Sequence, residues 1–70
     1  MSPTVRGLLT GRERDVAARV ADGARNAEIA GDLGLSVKMI EKHLSSIYRK
    51  LAISSRVELA VLWVESPRTQ

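Results

Sequence analysis

An all-α fold is predicted by three observations. Apolar residues recur every three or four positions, no stretch shows the alternation of a strand, and each periodic stretch begins near a Ser, Thr or Asn and stops at a glycine or a polar break. Seventy residues make one such domain at most. A chain this short buries only about 60% of the surface its unfolded form exposes, so a partner subunit or an attached domain would help it.

Each element follows from local signals. "MSPTVRG", with Pro3 and Gly7, reads as a flexible tail or linker stub over residues 1–8. Thr10 followed by Glu13 is a capping box, and Val16, Ala17 and Val20 then share one face, which predicts a first helix from about residue 11 or 12 to 21. "DGAR" is a turn, after which Asn26 or its neighbour caps a short second helix with Ile29, Ala30 and Leu33 inward and Gly34 at its end. Ser36 caps the third helix. Its Val37, Ile40, Leu44, Ile47 and Leu51 form one apolar stripe, opposite Lys38, Glu41, Lys42, Ser45 and Arg49. "AISS" interrupts the pattern, and Ser55 with Glu58 is a second capping box ahead of a fourth helix over residues 57–64. Residues 66–70 read as a second flexible tail.

Composition narrows the function. There is no cysteine and one histidine, which removes disulfides, thiolate catalysis and cysteine-based zinc sites. The carboxylates are scattered over helix surfaces and no glycine-rich phosphate loop follows a strand, so the sequence predicts no enzyme, no metal and no cofactor. The longest apolar run, residues 59–64, is far short of the ~20 needed to span a bilayer, and a cytoplasmic protein with no membrane partner is expected. The net charge of +3 is unevenly placed. Residues 1–35 balance five Arg with five acids, whereas residues 36–56 carry Lys38, Lys42, Arg49, Lys50 and Arg56 against Glu41 alone. A polyanion would approach the middle of the chain.

"GLS" is a connection short enough to force the second and third helices into a steeply crossed pair, a helix-turn-helix. Such a unit offers its second helix to the major groove of DNA. A small helical bundle with no nucleic-acid role has the same geometry. At the third helix's C-terminus Arg49 and Lys50 suit the helix dipole with or without a phosphate, and Thr10 stands where a helix N-terminus can receive one. Tyr48 suits a core edge or a phosphate contact. On the fourth helix Leu59, Leu62 and Trp63 extend the apolar surface beyond what one small core requires, which predicts self-association there, with Trp63 foremost.

"LTGRERDV" (9–16), "NAEIAGDLGLS" (26–36), "EKHLSSIYRKL" (41–51) and "SSRVELA" (54–60) together resemble, in order and without gaps, the LuxR type (GerE type) DNA-binding domain of bacterial transcriptional regulators. The resemblance places the domain at residues 9–65. It implies a four-helix bundle whose third helix is the recognition helix and whose fourth often makes a two-fold dimer contact. It also implies double-stranded DNA as partner, and an N-terminal receiver or sensor domain absent from this chain, or else a stand-alone form. Lys42 and Ser45 match its base-reading positions, with Lys38 close behind; His43 matches a frequent position beside the groove, and Arg56 an arginine opening the fourth helix that holds the scaffold or meets a phosphate. The family's usual proline is Gly11 here. Its Thr-Val-Lys run falls on Met39, Ile40 and Glu41. A carboxylate at that position either accepts from a cytosine N4 amino group or pairs with Lys38 or Lys42, and the two nearby lysines favour pairing. A protein-interaction module on the same scaffold, its DNA chemistry displaced by Met39 and Glu41, is the alternative.

Overall fold

A computed structural model describes residues 4–67, and three of its four α-helices begin where a Thr or Ser side chain accepts from one of the first free N–H groups. Helix α1 spans Gly11–Ala21. The Glu13 N–H donates to Thr10 Oγ1 at 3.2 Å and the Thr10 N–H donates to Glu13 Oε1 at 2.8 Å, the reciprocal box expected. Gly23 at φ +87° then turns the chain into α2, Asn26–Leu33. Arg25 is the N-cap residue, its N–H donating to Glu28 Oε1 at 2.7 Å, while Asn26 is already helical. Gly34 closes α2 at φ +68°, a conformation a side chain would strain. In α3, Val37–Leu51, the Met39 N–H donates to Ser36 Oγ at 3.1 Å.

Helix α4 covers Arg56–Glu65, with the Glu58 N–H donating to Ser55 Oγ at 3.1 Å. The expected capping box is only half made. Glu58 Oε1 accepts from the Ser54 N–H at 3.4 Å and from the Ser54 and Ser55 hydroxyls, both at 3.2 Å, instead of the Ser55 N–H.

The four helices enclose one core: α1 packs on α3 and α4, and α2 packs on α3. Val16, Ile29, Ile40, Ile47 and Leu59 are fully buried, each such side chain contributing roughly 1.5–3 kcal/mol by leaving water. The stripe of α3 holds at Ile40, Leu44 and Ile47, and Leu51 is half-buried, but Val37 is 41% exposed, so the core contact starts one turn later than the spacing suggests.

Two sequence readings are corrected here. Leu59 and Trp63, expected on a dimer surface, are 0% and 8% exposed and belong to the domain's own core, whereas Val57 and Val64 are each 73% exposed. Leu62 is half-buried beside them. The packing of α1 on α4 turns them inward, and the second correction adds a contact at Trp63. Residues 4–8 are held against α4: a short 3-10 turn at Arg6–Leu8 carries the Arg6 guanidinium to 3.8 Å from the Trp63 ring centre. Arg6 Nε donates to Ser66 Oγ at 2.7 Å and another guanidinium N–H donates to the Trp63 carbonyl at 3.3 Å. Ser66, assigned to the C-terminal tail, is thus part of the fold. The tail readings at residues 1–3 and 68–70 lie outside the described residues. Among the described residues no helix is long and apolar enough to cross a membrane.

Candidate nucleic-acid interface

The connection between α2 and α3 is three residues, each with a task. Gly34 reverses the chain, Leu35 tucks half-buried with its N–H donating to the Ala30 carbonyl at 2.9 Å, and Ser36 caps α3. Helix α3 is thereby pinned along its buried stripe, while its other side stays free. Lys38, Lys42, Ser45 and Arg49, spaced four, three and four, make one exposed line along it, with Met39 and Glu41 exposed on its flanks. Among the described residues, Lys38, Lys42 and Arg49 enter no ion pair. Three cations thus stand unneutralised on one helix face.

Other predicted contact residues are engaged elsewhere. Lys50 Nζ donates to Glu13 Oε1 at 2.7 Å, and the Ser46 hydroxyl donates to Glu13 Oε2 at 2.7 Å. Burial of Glu13 by itself would raise its pKa; the Lys50 ammonium and the donors from Thr10 and Ser46 outweigh this and lower it from 4.5 to about 2. The Lys50 ammonium is therefore paired with Glu13 within the domain. Arg56 is likewise committed, donating to Asn26 Oδ1 at 2.8 Å and to the Ala24 carbonyl at 2.7 Å, so it ties α4 to the start of α2. The pairing of Glu41 with Lys38 or Lys42 is not formed: among the described residues Glu41 enters neither an ion pair nor a side-chain hydrogen bond. His43 and Tyr48 are half-buried, Tyr48 against the core, and Thr10 is exposed with its hydroxyl serving the α1 cap.

A helix pair of this kind is common to many folds, and the chain's similarity to known proteins decides among them. The family model described as bacterial regulatory proteins, luxR family, matches residues 7–63. The chain belongs to the LuxR family. LuxR-family relatives include the transcriptional regulatory protein UhpA of Escherichia coli, 48% identical over 52 residues, which are 74% of this chain and 26% of UhpA. The probable transcriptional regulatory protein SgaR of Hyphomicrobium methylovorum is 37% identical over 62 residues, 89% of this chain and 29% of SgaR. A nitrate/nitrite response regulator homologue of Haemophilus influenzae is 38% identical over 60 residues, 86% of this chain and 29% of the relative. The chain spans between a quarter and a third of the length of these curated relatives. The matched region takes in the LuxR-type helix-turn-helix, all of α1 to α3 and most of α4.

Sequence reasoning missed the residues that lock this scaffold. Arg6, Asn26 and Ser46 act on partners 30 to 60 positions away, beyond any local pattern. The exposed valines of α4 were also missed, because a helix apolar nearly all round gives no phase for its buried side.

Proposed function

We propose that this domain binds double-stranded DNA in a sequence-specific manner, with α3 in the major groove, as the output domain of a bacterial transcriptional regulator acting in the cytoplasm. The observation that carries the reading is the line Lys38, Lys42, Ser45 and Arg49, exposed on the outer side of α3 and free of internal ion pairs among the described residues. Lys42, Ser45, Glu41 and Lys38 lie in the N-terminal and central turns that such a helix offers to base edges. Arg49, further along the same line, suits a phosphate, with His43, Tyr48 and Thr10 as flanking candidates. An N-terminal receiver or sensor domain absent from this chain controls access in this reading, consistent with the length of the relatives. The domain works as a homodimer on an inverted repeat, joined through the exposed side of α4.

Fluorescence anisotropy on duplex DNA at two ionic strengths tests the proposal. Displacement of counterions by several cations makes affinity fall steeply with added salt, by roughly tenfold or more between 50 and 200 mM. A folded protein with no affinity for any duplex at low salt would instead leave an interaction module on the same scaffold. Within the site, Lys42→Ala is expected to change the ranking of duplexes differing by one base pair, whereas Arg49→Ala weakens all of them to a similar degree, because base contacts specify and phosphate contacts position. Competition binding against single-pair variants reads the difference.

A further inference from the structure

We infer that Glu41 sets base identity in the half-site: together with Lys42 it reads one C·G pair, its carboxylate accepting from the cytosine N4 amino group. This rests on the DNA-binding reading and goes one step further into the same face. Glu41 is the single acid of residues 36–56, exposed on α3 little more than one turn after the Ser36 cap. The acids that serve the scaffold have their partners in place: Glu13 holds Lys50 and Ser46, Glu28 accepts the Arg25 N–H, and Glu58 takes the donors of Ser54. Glu41 has none among the described residues, with Lys38 three positions before it and Lys42 next to it. It contributes nothing visible to the fold, and it sits beside the cations that face outward.

The chemistry of the groove then narrows its partner. An ionised carboxylate only accepts hydrogen bonds. Guanine shows O6 and N7 there, and thymine shows O4 and a methyl group, none of them a donor. Adenine shows its N6 amino group beside N7, an acceptor that repels a carboxylate. Cytosine alone offers the N4 amino group with no acceptor next to it on the same base, while O6 and N7 of the paired guanine suit an ammonium. Glu41 and Lys42 present an acceptor and a donor in succession, the complement of a C·G pair. Opposite guanine or thymine the carboxylate is desolvated without a donor, opposite adenine it meets the repulsive N7 beside N6, and against phosphate it is repelled, so the same residue lowers affinity for wrong sites.

Selection of bound duplexes from a randomised pool, followed by anisotropy on variants changed one pair at a time, tests this with wild type, Glu41→Gln and Glu41→Lys, each shown folded by circular dichroism. Wild type is expected to favour C at one position of the half-site by roughly five- to hundredfold. Glu41→Gln should move that preference towards A, since an amide pairs with N6 and N7 together. Glu41→Lys should bind duplexes without that C more tightly, through the added charge, and lose the preference for C at that position alone. Retention of the same C preference in both variants, or its absence from wild type that binds DNA, overturns the assignment. Failure of the folded wild type to bind any duplex at low salt overturns the DNA-binding reading, and this assignment with it.

Discussion

Glu13 joins the start of α1 to α3 through one carboxylate: it caps α1 through the Thr10 N–H and holds Lys50 and Ser46 of α3. Because its pKa is lowered from 4.5 to about 2, the folded state refuses a proton that the unfolded chain accepts. The stabilisation is fully present above about pH 5 and is lost as pH falls through about 2. It amounts to something on the order of 2 kcal/mol. Glu13→Gln is therefore expected to be clearly less stable than wild type at pH 7, with the gap closing as the pH approaches 2. Urea unfolding of both proteins at pH 7, 4 and 2.5 measures it, and a gap that stayed constant across the series would show that the charge of Glu13 is immaterial. The same residue was legible only by half from the sequence. Its capping role is a three-residue pattern, whereas its hold on Lys50 spans 37 positions.

Helix ends are the part of this fold most legible in its sequence, because their chemistry is local. Thr10, Gly34 and Ser36 each do what their type and position indicate. The end of α3 is an exception. Ala52 sits at φ 56°, ψ 44°, with its N–H donating to the Arg49 carbonyl at 3.3 Å and the Ile53 N–H to the Tyr48 carbonyl at 3.0 Å. That reversed pair of bonds closes a helix through a left-handed residue, a conformation that costs an alanine roughly 1 kcal/mol or more. Ala52 is exposed, so glycine there gives up no core packing. Ala52→Gly should raise stability by about 0.5–1 kcal/mol, a few degrees in Tm for a domain of this size. A thermal melt with an unchanged or lower Tm would place the strain elsewhere. The phase of α4 could not be read in the same way. Val57, Leu59, Val61, Leu62, Trp63 and Val64 surround the helix with apolar side chains, and only the stacking of Arg6 on Trp63 and the packing of α1 select which of them turn inward.

At the scale of the whole molecule, two unfinished surfaces among the described residues lie on different elements. One is the cationic side of α3; the other is the side of α4 where Val57, Val61 and Val64 stand exposed and where Ile53, Val57, Glu58, Val61 and Leu62 line an open, mainly apolar groove. A single small core leaves such a surface uncovered at a cost, and a second copy of the domain would cover it. With Leu59 and Trp63 inside the fold, the proposed dimer contact moves to these valines. Val61→Asp places a charge in the middle of that surface and leaves the core intact, since Val61 is 50% exposed. It should shift the monomer–dimer balance towards monomer. It should also weaken binding to a duplex carrying two half-sites by tenfold or more, while leaving a single half-site nearly unchanged, because the second half-site rewards only a paired protein. Sedimentation velocity with and without DNA, together with anisotropy on one- and two-half-site duplexes, separates the effects. Equal losses on both duplexes would mean that the substitution disturbs α3 through the fold; no loss on either would assign the valines of α4 to a contact with another domain of the regulator.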